Sequence, residues 1–188
     1  MEQGFLARVQ NNPVVAAVRD VSHLDRAIQS PSEVIFLLQG NIFNVRWCVE
    51  RVQSVGKEIF IHFDLIDGFS KDPTAVNYVR DVVRPNGIIT TKGNLVKIAR
   101  ELGLFAIQRL FILDSLSLDS GIKSVLATHP DAVEILPGLI PRVIKQVREA
   151  TKVPVIAGGL IETKDDVVAN LKAGAIGVSV SKESVWYL

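Results

Sequence analysis

The sequence predicts an α/β protein, a compact (β/α)8 barrel of the TIM-barrel class, on three observations. Eight short runs rich in Val, Ile, Leu or Phe recur along the 188 residues, starting about 20 to 29 residues apart. Most of these runs are nearly continuous in apolar character, which is how parallel strands covered on both faces read. The segments between them carry helical periodicity and helix end signals. Eight strand–helix units fit a closed barrel better than an open doubly wound sheet, the alternative, which usually holds about five to seven strands. Barrels of this class are typically nearer ~250 residues, so short loops and short helices are implied.

The runs are Val14–Val18, Val34–Leu38, Glu58–Phe63, Gly87–Thr90, Arg109–Leu113, Ala132–Leu136, Val155–Ala157 and Ala175–Val180. Ahead of them, residues 1–13 form a short amphipathic helix through Phe5, Leu6 and Val9, suited to plug the bottom of the barrel. Ser22 is placed to cap a helix at Leu24–Gln29. Asp72-Pro73 joins an N-cap to a first-turn proline and opens a helix through Val76, Val79 and Val83. Thr163 to Asp166 resembles a capping box with Asp in place of the usual Glu. Gly56, Gly103 and Gly174 stand just after helical runs, where a left-handed residue closes a helix. Pro141 opens a helix carrying Arg142, Lys145 and Arg148, with Lys152 in or just beyond it. The final Val185-Trp186-Tyr187-Leu188 is too apolar for a free tail; it packs either as a last helix or against a second copy, which leaves a homo-oligomer open. No linker or low-complexity tract appears, so residues 1–188 read as one barrel domain.

Composition narrows the function. Hydrophobic residues make up 48% of the chain, which excludes intrinsic disorder. The longest uncharged stretch is the twelve residues from Val34 to Val45, too short for a membrane span of about 18–20 residues. Lys and Arg number 21 against 20 Asp and Glu, which gives no support to a broad basic surface for nucleic acid. Cys48 stands alone, so no internal disulfide forms, and a reducing cytosol fits. The start of the chain lacks a positive segment followed by an apolar run, so a cytoplasmic location is expected.

In such a barrel, chemistry sits at the C-terminal ends of the strands. The seventh and eighth strands end in Gly158-Gly159 and in Ser179 and Ser181, followed by Lys182. Glycines let backbone N–H groups approach an oxyanion, a helix N-terminus adds partial positive charge and Lys182 adds a full one. These five residues are the candidate phosphate site; the alternative for Gly158-Gly159 is a plain tight turn. His62 and Asp64 lie two apart and so share a face of the third strand. They hold ligand hydroxyls or a metal, or else Asp64 and Asp67 cap the following loop and His62 is core. Glu134 sits inside an apolar strand and needs a partner or a ligand. It accepts from a polyol, or it pairs with Arg109 or Lys92. Arg19 and Lys92 are cations at the first and fourth strand ends and suit an anionic ligand or the rim. Cys48 reads as core, and His23 and His129 as structural or solvated.

The segment His62-Phe63-Asp64-Leu65-Ile66-Asp67-Gly68 resembles the metal-binding H-x-D-x-x-D-G segment of ribulose-phosphate epimerases. That resemblance implies an Asp before the seventh strand's Gly-Gly and a second strand-end His. Ala157 stands at the first position and no histidine at the second. Asp64 to Asp67 also resembles the D-x-K-x-x-D run of orotidine-phosphate decarboxylases, with Ile66 where the lysine belongs. The reading is therefore a barrel that binds a small phosphate ester, with no catalytic residue, cofactor or metal assigned. The runner-up is an epimerase- or isomerase-like enzyme acting on a small phosphorylated polyol or sugar.

From about Val14 to Leu188 the chain resembles, in register, the glycerol uptake operon antiterminator regulatory proteins. The motifs that carry this are the His62–Gly68 segment, Gly87-Ile88-Ile89-Thr90-Thr91-Lys92, Ile107-Gln108-Arg109 and Phe111-Ile112-Leu113-Asp114-Ser115. Glu134-Ile135-Leu136-Pro137-Gly138, Ile156-Ala157-Gly158-Gly159-Leu160-Ile161 and Val185-Trp186 complete the set. The resemblance implies a protein that responds to glycerol 3-phosphate and acts on a messenger RNA leader to prevent early termination of a glycerol operon. The best local patch for RNA is Arg142, Lys145, Arg148 and Lys152, whose alternative is an ordinary solvated helix face.

Overall fold

A computed structural model describes residues 2–188. Eight parallel strands close in chain order: β1 (Val14–Val18), β2 (Val34–Leu37), β3 (Glu58–His62), β4 (Gly87–Thr90), β5 (Phe105–Phe111), β6 (Ala132–Leu136), β7 (Val155–Gly158) and β8 (Gly177–Val180). The ring shuts where β8 pairs with β1, with Val15 opposite Ser179. Helix α1 (Glu2–Asn11) precedes β1. Helices α2 (Leu24–Gln29), α3 (Val45–Ser54), α4 (Pro73–Tyr78), α5 (Gly93–Glu101), α6 (Ser115–Thr128), α7 (Pro141–Thr151) and α8 (Lys164–Lys172) follow β1 to β7 in turn. Two extra two-residue strands, Gly40–Asn41 and Ile66–Asp67, pair with each other in the loops after β2 and β3.

Every strand but the ends of β3, β5 and β6 is buried along its whole length, because the barrel has two apolar faces to fill. Alternate residues divide between them. Phe36, Phe60, Ile89, Phe105, Ile107 and Ile156 form an inner cluster, whereas Ile35, Ile59, Ile61, Ile88, Val133 and Val155 pack with the helices. Phe5 and Val9 of α1 belong to the inner cluster, so this helix closes the N-terminal end. The Phe5 ring lies 5.0 Å from Phe60 and 4.9 Å from Phe105. Room for the plug comes from Gly177: a Cβ there would fall 2.6 Å from a Val9 methyl and 2.8 Å from the Pro13 carbonyl oxygen. Met1, the first residue of the expected plug, lies outside the described residues.

Local chemistry explains several element ends. Asp72 accepts from the Ala75 N–H at 3.0 Å with Pro73 at the first turn of α4, which runs on as a π-helical turn at Val79–Val83. Thr163 and Asp166 form the reciprocal capping box of α8. Gly56, Gly103 and Gly174 adopt positive φ after their helices. Three expectations need correction. Asp20 makes the cap ascribed to Ser22: its carboxylate accepts from the Ser22 N–H at 2.8 Å and caps a 3-10 turn, and α2 itself has no side-chain cap. The fifth strand starts at Phe105 rather than Arg109, because Gln108 and Arg109 are buried with partners and do not end it. Asp114, beyond the end of this strand, is the N-cap of α6, accepting from the Ser117 N–H at 2.8 Å. The eighth strand begins at Gly177, two residues later than expected. The apolar tail packs as a 3-10 turn at Glu183–Tyr187; Trp186 is buried and its indole N–H donates to the Val180 carbonyl at 2.6 Å.

Candidate ligand-binding site

Continuing each strand's inward parity one step beyond the inner cluster turns the lining polar. Two residues past Phe60, Ile107, Ala132, Ile156 and Gly177 come His62, Arg109, Glu134, Gly158 and Ser179. Five strands therefore build one polar layer. Glu134 is fully buried. One of its oxygens accepts from Arg109 Nε at 2.6 Å and the other from the Ser179 hydroxyl. A buried carboxylate held this way keeps its charge compensated. Gly158 makes the arrangement fit: a Cβ there would lie 2.6 Å from Ser179 Oγ and 2.8 Å from Glu134 Oε1. His62 is buried, with no hydrogen-bond partner for Nδ1 among the described residues. Burial, helped by the positive charge of Arg109, pushes its pKa down to about 4, so the imidazole is neutral at neutral pH.

Above this layer a cavity of about 510 Å³ opens at the C-terminal end of the barrel. Arg109, Glu134 and Ser179 reach it from the strands, Arg19 and Gln39 from the ends of β1 and β2, and Gly159 and Ser181 from the loops after β7 and β8. Leu65, Phe111, Leu136 and Leu160 supply apolar wall. Gly159 has φ +75° and Leu160 φ +60°. A left-handed conformation at a branched residue is costly, and it turns the chain sharply at the cavity edge. The loop is fastened from below: the Gly138 N–H donates to the carbonyls of Gly158 at 2.6 Å and Gly159 at 3.1 Å, and Asn170 Nδ2 donates to the Gly138 carbonyl at 2.7 Å.

The cavity thus brings together Gly159, Ser179 and Ser181 of the expected phosphate set with Glu134 and Arg19 of the expected polyol set. Gly158 lies against Glu134 and Ser179. Lys182 is exposed and pairs with Glu162 at 3.5 Å. Asp64 is occupied elsewhere: its carboxylate accepts from Thr90 Oγ1 at 2.8 Å and from the Thr91 N–H and hydroxyl at 2.7 and 2.8 Å. Burial raises its pKa, but these hydrogen bonds outweigh burial and hold it below the usual carboxylate range. Lys92 is exposed at the N-cap of α5. Arg142, Lys145, Arg148 and Lys152 all lie exposed on or just after α7. Cys48 is buried, and burial pushes its thiol up to about 11, so it is unreactive. The sequence offers Arg109 only as a partner of Glu134; its place in the cavity wall, and that of Leu160, is set by the fold. Among the described residues no group of three or more His, Cys, Asp or Glu side chains is placed to hold a metal. No helix among them is long and apolar enough to cross a membrane.

The fold is a TIM barrel, and the cavity at its C-terminal mouth joins polar and apolar lining. The family model of the glycerol-3-phosphate responsive antiterminators matches residues 14–186, and the chain belongs to that family. It is 39% identical over 184 residues to YgcP, an uncharacterized protein of Escherichia coli, covering 98% of this chain and 96% of that one. Among solved structures it is similar to a glycerol uptake operon antiterminator regulatory protein from Listeria monocytogenes, with TM-score 0.90 and 31% identity over 94% of this chain and 95% of that one. A glycerol uptake operon antiterminator-related protein from Thermotoga maritima is also similar, with TM-score 0.82 and 30% identity over 92% and 96% of the two chains.

Proposed function

We propose that this protein binds glycerol 3-phosphate in the barrel mouth and, in the cytoplasm, acts on the leader mRNA of a glycerol uptake or metabolism operon as an antiterminator, without catalysis of its own. The observation that carries the ligand half is the cavity over the Arg109–Glu134–Ser179 layer. Its volume of about 510 Å³ lies within the range of small-molecule sites. It pairs a glycine- and serine-lined edge from the β7 and β8 loops with a carboxylate floor. The edge suits phosphate and the floor suits hydroxyls that donate hydrogen bonds. Gly159, Ser181 and Arg19 serve the phosphate end, and Glu134 with Ser179 serves the polyol end, where Gly158 leaves the carboxylate room and His62 lies beside it. Lys182, paired with Glu162, and Lys92, at the N-cap of α5, lie outside the cavity lining. Family membership supplies the antitermination half, and the exposed basic face of α7 is the candidate RNA surface.

The absence of catalysis is supported by what the enzyme-like residues do. Asp64 spends its carboxylate on Thr90 and Thr91. Ala157, at the place of the epimerase-type Asp, is buried in the cluster that packs with the helices. The test is calorimetric titration with glycerol 3-phosphate, with glycerol and inorganic phosphate as controls, followed by binding of a leader transcript with and without the ligand. Saturable binding of glycerol 3-phosphate well above both controls, with a ligand-dependent change in transcript affinity, is expected. Binding no tighter than inorganic phosphate contradicts the ligand half. A transcript affinity that is absent or indifferent to the ligand contradicts the RNA half.

A further inference from the structure

We propose that the Arg109–Glu134 pair is a charge filter at the cavity floor: it admits phosphate esters with a neutral, hydroxylated tail and rejects those whose tail carries a second negative charge. The proposal rests on the functional reading above and specifies its ligand class.

The charged side chains that line the cavity are Arg19, Arg109 and Glu134. Arg19 is exposed at the rim, and among the described residues it has no ion-pair partner. Arg109 and Glu134 are both buried and neutralise each other at 2.6 Å. Uncompensated positive charge thus lies at the rim, where a phosphate enters, and none remains at the floor. What reaches the floor meets a carboxylate that only accepts hydrogen bonds. Glu134 cannot turn aside: Arg109 Nε and the Ser179 hydroxyl hold its two oxygens, and the backbone at Gly158 stands directly behind it. A hydroxyl fits there, donating to Glu134 while accepting from a terminal nitrogen of Arg109. A carboxylate has no proton to donate, and two like charges in a poorly solvated pocket repel strongly.

The test compares glycerol 3-phosphate with glycerate 3-phosphate, which keeps the three-carbon frame and the phosphate and replaces a hydroxymethyl by a carboxylate. By calorimetry at neutral pH the native protein is expected to bind the glycerate roughly 100-fold more weakly or worse, the scale of a juxtaposed like charge. Glu134→Gln removes the negative charge and leaves Arg109 uncompensated. It is expected to weaken glycerol 3-phosphate by about tenfold or more and to tighten glycerate 3-phosphate by a similar factor, narrowing or inverting the preference. Should Glu134→Gln fail to fold, the native comparison decides alone. Affinities for the two esters within about threefold in the native protein overturn the filter while leaving the glycerol 3-phosphate reading intact. No binding of glycerol 3-phosphate at all overturns both. An unchanged preference in a folded Glu134→Gln protein also overturns the filter.

Discussion

Replacing Gly158 by alanine tests the packing on which the site depends. The added methyl carbon would sit 2.6 Å from Ser179 Oγ, 2.8 Å from Glu134 Oε1 and 3.4 Å from Glu134 Cδ. Real Cβ atoms essentially never come within 3.0 Å of such neighbours, so something must move. Ser179 moves most cheaply, by rotating its hydroxyl away and giving up its hydrogen bond to a buried carboxylate, a loss of about 1.5–3 kcal/mol. The remaining contact presses on Glu134, which Arg109 holds at 2.6 Å, and overpacking of this sort costs about 1–3 kcal/mol. The two effects share one relaxation and do not simply add, so about 2–4 kcal/mol of stability is lost. For a chain of this size each kcal/mol lowers Tm by roughly 2–4 °C, which gives a fall of roughly 4–16 °C. The control is Gly159→Ala. There the three nearest atoms all belong to the Leu136 side chain, the first at 3.2 Å, and the main cost is the left-handed backbone, about 1–2 kcal/mol. Thermal unfolding by circular dichroism and glycerol 3-phosphate calorimetry read both variants. A Gly158→Ala protein as stable as the native one, with unchanged affinity, would refute the packing of Glu134 and Ser179 described above.

Other expectations follow from the same contacts. His62 titrates near 6.5 when unfolded and at about 4 when folded. The unfolded state therefore binds more protons between these values, and stability present above pH 6.5 drains away as pH falls towards 4. The total is about 3 kcal/mol; urea unfolding across this range should show the slope, and His62→Asn should flatten it. Phe5→Ala removes the ring that closes the barrel floor and should cost about 3–5 kcal/mol by urea unfolding; a loss under 1 kcal/mol would mean that α1 only rests on the surface. Arg142→Glu combined with Lys145→Glu should weaken leader-transcript binding without changing glycerol 3-phosphate affinity. Unchanged transcript binding would move the RNA surface elsewhere.

The barrel was legible because burial on both faces forces each strand into a short apolar run, and eight such runs survive in the sequence. The fifth strand begins at Phe105, four residues before the expected run. Gln108 and Arg109 look like the polar start of a strand, yet Gln108 is buried under α6, donating to Ser124 at 2.7 Å and accepting from Thr128 at 2.6 Å. Arg109 is buried on the opposite face with Glu134. Polar groups satisfied by partners 16 to 25 residues away carry no local mark. That shift hid the place of Arg109 in the cavity wall. The glycine and serine edge of the mouth was legible for a different reason: its residues are set by backbone geometry, which is local. Asp64 shows the limit of reading spacing alone. Its two-residue offset from His62 suggested a shared site, and the turn after it aims the carboxylate at Thr90 and Thr91 instead. The tail was ambiguous between a helix and a subunit contact; the Trp186 hydrogen bond to Val180 shows that it packs on its own barrel.

The most direct test of the central claim is a crystal structure of the protein with glycerol 3-phosphate bound. The account predicts the ligand in the C-terminal mouth, its phosphate against Gly159, Ser181 and Arg19 and a hydroxyl within hydrogen-bond distance of Glu134. A ligand bound outside the barrel mouth, or one turned so that its phosphate lies on Glu134, would contradict it.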